Sequence, residues 1–116
     1  MREFAGLRRV RQVGAAVTFG DVSIDFESRS VRRCGEELHM TPKEFKLLST
    51  LIGNRGKLLT QRFLLNAVWG PQNLEQAQYL RVYMTQLRRK LEKDPARPTY
   101  LRTETGVGYR FASDVI

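Results

Sequence analysis

Residues 78–94 read QYLRVYMTQLRRKLEKD. At 100° per residue, Leu80, Met84, Leu87 and Leu91 fall within about 60° of one another, so one side of a helix here is apolar and packs. The opposite side carries Gln78, Val82, Thr85, Gln86 and Arg89, with Arg81 and Arg88 on one flank and Tyr79, Tyr83 and Lys90 on the other. Three uses fit such a helix: an ordinary core helix with a solvated face, a helix on an anionic membrane surface, or a helix lying in nucleic acid. Spacing within the stretch does not separate them.

The rest of the chain narrows the choice. With 116 residues it has the length of one domain and can bury a core without disulfide or metal staples. Twenty Lys and Arg stand against twelve Asp and Glu, a net charge of +8, which favours a polyanionic partner or anionic lipid. Cys34 is the single cysteine, so there is no internal disulfide framework, and without a signal-like segment the expected location is cytoplasmic. No apolar run approaches the roughly 18 residues that span a bilayer.

Residues 1–14, MREFAGLRRVRQVG, set Phe4, Leu7 and Val10 at helical spacing among four arginines. Three apolar anchors make a poor membrane-surface helix, and the stretch reads better as a basic arm or helical remnant. From Val17 to Met40, short runs of Val, Ile and Phe alternate with polar residues between turn signals, which predicts an antiparallel meander of three or four strands. Thr41-Pro42-Lys43-Glu44 then switches the period, being a capping box with proline at the first helical position. The helix it starts presents Phe45, Leu48, Leu51 and Ile52 and stops at 53–56. Thr60 caps a second helix, QRFLLNAVWG, whose Trp69 reads as core, and Gly70-Pro71 ends it. Residues 71–76 form a loop, and the third helix runs from about Ala77 to Lys93 before two prolines break it. YLRTETGVGYRFA reads as two strands about a turn at Thr105–Gly108.

Enzyme chemistry finds little purchase here. One histidine, His39, lies in a strand pattern, and Cys34 has no basic partner to activate it. Neither a four-ligand zinc set nor carboxylates at ligand spacing are present, and TGVGYR lacks the Lys-Ser/Thr of a phosphate loop. No catalytic residue, metal or cofactor is expected. What remains is a basic helix preceded by a helix and short loop and followed by a hairpin bearing Arg102 and Arg110. That is the layout of a winged helix-turn-helix, with the outer face of residues 78–89 directed at the major groove of DNA. Two other classes stay open: a winged-helix module for protein interaction, which would leave that face unused, and a membrane-surface module acting through residues 2–11.

MTPKEFKLLSTLIGNRGKLLTQRFLLNAVWG, the third helix ending LRRKLEKD, and LRTETGVGYRF closely resemble the DNA-binding domain of OmpR/PhoB-class response regulators, over about Val17 to Phe111. VWGPQNLEQAQYLRVYMTQLRRKLEKDPARP with TETGVGYRF is similar in particular to the branch of that class controlling potassium-transport genes. The resemblance implies an α+β fold: an N-terminal antiparallel four-stranded sheet, three helices and a C-terminal β-hairpin wing. It implies double-stranded DNA as partner, bound at direct-repeat half-sites, with base-edge contacts from Arg81, Val82, Thr85 and Gln86. Phosphate contacts would come from Tyr83, Arg88, Arg89, Thr103 and Tyr109, with Gln78, Tyr79, Arg102 and Arg110 at the margins. At the wing tip Thr105 stands where many members carry an arginine that enters the minor groove. The loop over residues 70–76 would be the one that can face RNA polymerase. A receiver domain and a histidine kinase are partners implied for the parent protein, with residues 1–16 resembling the end of a receiver's last helix plus linker and 17–116 forming the effector domain.

Overall fold

Strand alternation becomes structure first. In the computed structural model, which describes residues 16–112, four antiparallel strands follow one another in space as in sequence: β1 (Ala16–Phe19), β2 (Val22–Asp25), β3 (Ser30–Arg33) and β4 (Glu36–Leu38). The register pairs Phe19 with Val22, Ile24 with both Val17 and Val31, and Val31 with Leu38. Partners across a ladder share a face, so these apolar residues collect on one side while Thr18, Ser23, Arg32 and Glu37 line the other. Phe19, Val22, Ile24 and Val31 are buried.

Residues 16–40 and 41–112 form two compact units. The second begins with α1 (Pro42–Gly53), where the capping box is complete. The Thr41 hydroxyl accepts the Glu44 N–H at 3.2 Å, and the Glu44 carboxylate accepts the Thr41 N–H at 2.9 Å. The predicted face of α1 is buried, and so is Leu47. β5 (Leu59–Thr60) leads into α2 (Gln61–Trp69), whose first turn is capped by the Thr60 hydroxyl through the Phe63 N–H at 3.1 Å. The connection expected as plain loop contains one 3-10 turn over Pro71–Asn73. Next comes α3 (Ala77–Leu91), burying Leu80, Met84, Leu87 and Leu91, the four residues whose spacing defines its apolar stripe.

The chain closes with the hairpin of β6 (Leu101–Glu104) and β7 (Gly108–Phe111). β5 adds to the outer side of β7, giving a three-stranded sheet in the order β5-β7-β6. This pairing explains a difference from the sequence reading, which put Gly108 in the turn. Gly108 pairs with Thr60, and a Cβ built on it would lie 1.9 Å from the Leu59 carbonyl oxygen, so it is a strand residue at which two backbones touch. The turn itself is Thr105–Val107, closed by the Val107 N–H to the Glu104 carbonyl at 2.9 Å, with Gly106 at φ 80°. Positive φ at that position is the reason for glycine there. The helices pack α1 on α2 and α2 on α3, and α1 also meets β7.

Candidate nucleic-acid interface

Burying four residues of α3 forces the remainder of its circumference outward. Gln78, Tyr79, Arg81, Val82, Thr85, Gln86 and Arg89 are all exposed, while Tyr83 and Arg88 are half-buried on the two flanks. Val82, at 51% exposure, is an aliphatic side chain left open on the outer face. The Thr85 hydroxyl donates to the Arg81 carbonyl at 3.0 Å, which fixes its rotamer. The face therefore mixes amide donors and acceptors with cations and one methyl-bearing spot, the groups that read base edges in a wide groove.

Each flank is held by a different element. On the α2 side, Trp69 packs edge-on against Tyr83 with ring centroids 5.1 Å apart and tilts against Tyr79 at 6.0 Å. Trp69 was expected in the core; it is half-buried, because two tyrosines of α3 cover it instead of the aliphatic interior. Phe63, on the same helix, is 47% exposed. On the α1 side, Lys90 reaches the buried Glu44 at 2.7 Å, and Gln86 and Arg89 border a shallow groove beside them.

The third side belongs to the hairpin. Arg88 Nε donates to the Leu101 carbonyl at 3.0 Å, an Nη donates to the Thr103 hydroxyl, and the guanidinium lies 5.8 Å from the centre of the Tyr109 ring. Burial pulls the Arg88 pKa below its ordinary value, against the attraction of Tyr109 and Glu92. Glu92, the residue after α3, is buried, and its carboxylate accepts the N–H groups of Thr99 at 2.7 Å, Tyr100 at 2.9 Å and Leu101 at 2.8 Å. Nothing local in the sequence marks Glu92 for this part: its partners lie across the Pro95–Pro98 loop.

The expected site residues divide accordingly. Thr103 and Tyr109 share the hairpin face that meets α3, with Tyr109 buried and Thr103 exposed. Arg102 and Arg110 are cross-strand partners on the opposite face. Arg102 Nε donates to the Thr99 carbonyl at 3.1 Å. Arg110 turns back to the Gly56 carbonyl at 3.2 Å, and its Nε lies 3.4 Å from Glu104, an ion pair rather than an aligned hydrogen bond. Thr105 is exposed at the turn. The structure thus ties Thr103 to α3 through Arg88, while Arg102 and Arg110 share the other face of the hairpin.

Charge follows the division into units. Residues 41–112 carry thirteen Lys and Arg against five Asp and Glu, whereas residues 16–40 carry three against five. The thiol of Cys34 donates to the Asp21 carboxylate at 3.2 Å, and that hydrogen bond pushes its pKa up, away from thiolate chemistry. Among the described residues no group of His, Cys, Asp and Glu is arranged to hold a metal, and no helix is long and apolar enough to cross a membrane.

Comparison with known proteins places this geometry. Residues 35–111 match the family model described as transcriptional regulatory protein, C terminal. The KDP operon transcriptional regulatory protein KdpE of Escherichia coli K12 is 58% identical over 95 residues, 82% of this chain and 42% of the relative. KdpE of Mycobacterium tuberculosis is 49% identical over 89 residues, 77% of this chain and 39% of the relative. The chain spans less than half the length of these relatives. Among solved structures, the OmpR/PhoB homologue DrrB of Thermotoga maritima superposes with a TM-score of 0.77 at 33% identity, over 85% of this chain and 45% of that one. The RstA DNA-binding domain of Klebsiella pneumoniae, solved in complex with the RstA box, gives 0.74 at 26% identity, over 85% and 98%.

Proposed function

Because this chain belongs to the transcriptional regulatory protein C-terminal family, the DNA-binding effector domains of OmpR/PhoB-class response regulators, we propose that it binds duplex DNA sequence-specifically with α3 in the major groove. The observation that carries the reading is the outer face of α3: seven exposed residues, amide-rich and cationic, framed on three sides by elements that hold the helix but leave that face open. Arg81, Val82, Thr85 and Gln86 meet base edges, with Gln78 at the helix start, and the hydroxyls and cations of Tyr83, Arg89, Thr103 and Arg102 meet phosphates. Thr105 carries the wing along the backbone, its short neutral side chain giving little reach into the minor groove.

KdpE likeness at 58% identity supports control of potassium-transport genes as the parent protein's output, in the cytoplasm, under a receiver domain and its histidine kinase. The 3-10 turn after α2 shapes the loop that would meet RNA polymerase. Of residues 1–16, the arm read as linker and receiver remnant, 1–15 lie outside the described residues and Ala16 is the first residue of β1.

Selection of bound sequences from random duplex DNA, followed by titration over a range of salt, tests the proposal. With five to seven cations on phosphates the log–log salt slope is about −4.5 to −6. A slope near zero, or no enriched sequence, overturns it.

A further inference from the structure

Arg88 and Glu92 stand one helical turn apart where α3 ends and hold the same residue, Leu101, through its two flanking peptide groups. Leu101 donates its N–H to Glu92 and its carbonyl accepts from Arg88 Nε. Leu101 is the first residue of β6, and the two residues after it are Arg102 and Thr103. The grip spreads in both directions. Glu92 also takes the N–H groups of Thr99 and Tyr100, Arg88 also reaches Thr103 and lies over Tyr109, and Tyr100 stacks on Phe111 with ring centroids 6.5 Å apart.

A buried carboxylate with three N–H donors, in a unit short of acids, is a specific arrangement. Hydrogen bonds to charged groups are stronger and more directional than neutral ones, so they set position as well as adding stability. They also leave Arg88 little freedom to swing toward a phosphate, since its Nε and one Nη are already committed to β6.

We infer that Arg88 and Glu92 are positioning residues for DNA binding: they lock the wing to the recognition helix so that both meet the duplex as one rigid surface. Arg88 then acts through Leu101 and Thr103 rather than as a phosphate ligand. This rests on the DNA-binding reading above and adds to it a mechanical coupling between its two contact elements.

A double-mutant cycle on the full chain tests it, with Glu92→Gln and the wing variant Arg102→Ala titrated onto the selected duplex. Contacting networks couple, whereas independent sites add. Arg102→Ala is expected to weaken binding about fivefold in the wild type and less than twofold once Glu92→Gln has released the wing. Hydrogen exchange on the free Glu92→Gln chain should speed up at Thr99–Glu104 while α1 and α2 keep their protection. Should Glu92→Gln not fold, Arg88→Leu enters the same cycle with the same expected loss of additivity. Fully additive losses, or unchanged exchange at Thr99–Glu104, overturn the clamp while leaving DNA binding intact. A chain that binds no duplex at low salt overturns the reading beneath it instead.

Discussion

Lys90 Nζ lies 2.7 Å from Glu44 Oε1, the same oxygen that accepts the Thr41 N–H. A local helix cap is thereby also a tertiary tie: the residue that starts α1 receives the last turn of α3. Burial alone would raise the Glu44 pKa, but the Lys90 ammonium and the Thr41 hydrogen bonds outweigh it, and the net shift is downward.

A lowered folded pKa means that the unfolded chain takes up the proton first as pH falls. Stabilisation by ionised Glu44 is therefore complete above about pH 5 and drains away through the ordinary glutamate value near 4.3 toward the lower folded one. Glu44→Gln should destabilise by about 2 kcal/mol at pH 7, since it leaves a half-buried ammonium short of its counter-charge. Urea unfolding of both proteins at pH 7 and pH 3 checks this: the gap narrows at low pH. A gap independent of pH would contradict the assignment.

Glycine positions give a paired stability prediction. Gly108→Ala drives a Cβ into the Leu59 carbonyl and the Thr60 backbone, so β5 and β7 must part, at a loss of about 3 kcal/mol or more. Gly53→Ala meets nothing within 4 Å at the end of α1 and should stabilise by about 0.5 kcal/mol or more. Thermal melting of the two variants gives opposite signs. Equal effects would mean that the β5–β7 contact is not as close as described.

On DNA, the outer face of α3 is expected to divide into readers and anchors. Gln86→Ala or Arg81→Ala should lose about 1 to 3 kcal/mol on the selected site and relax preference at particular base pairs. Arg89→Ala should weaken all sequences alike and shrink the salt slope by about one contact. Binding to a panel of single-base variants separates the two patterns, and identical profiles for all three variants would refute the division.

The free chain should be a monomer, because among the described residues most large apolar side chains are spent inside: Leu80, Met84, Leu87 and Leu91 of α3 are buried, and the exposed ones, such as Phe63, Val82 and Val107, are scattered over different elements. Two copies should occupy direct-repeat half-sites one DNA turn apart, each recruited by its own contacts and without the effective-concentration gain of a linked pair. Sedimentation without DNA, then titration onto one and two half-sites, reads this out. A stable free dimer, or preference for inverted repeats, would overturn it.

Which of these features the sequence discloses depends on how far apart the partners lie. The Thr41–Glu44 box is legible because a four-residue stretch suffices to define it, and the α3 stripe because four apolar residues recur at helical spacing. The same spacing of Leu80, Met84, Leu87 and Leu91 that predicts packing also leaves the outer face exposed. By contrast, Glu92 in RRKLEKD looks like any surface glutamate of a basic helix, since its three donors begin seven residues downstream beyond two prolines. Trp69 is misjudged for a related reason: size argues for the core, but only the α2–α3 packing shows that tyrosines cover it. Gly108 reads as turn until a strand from residues 59–60 is placed against it, a contact with no local signature at all.

That last contact also orders the molecule's birth. Each pairing in the first sheet joins strands only a few residues apart, so a ribosome feeding out the N-terminus first can let that meander form as soon as Leu38 has emerged. Thr60, however, waits for Gly108, 48 positions later, and β6 waits for the same strand. During synthesis α3 is thus complete before the sheet that carries the wing can close, and the surface proposed to meet DNA, α3 with the hairpin, is assembled only once β7 has emerged.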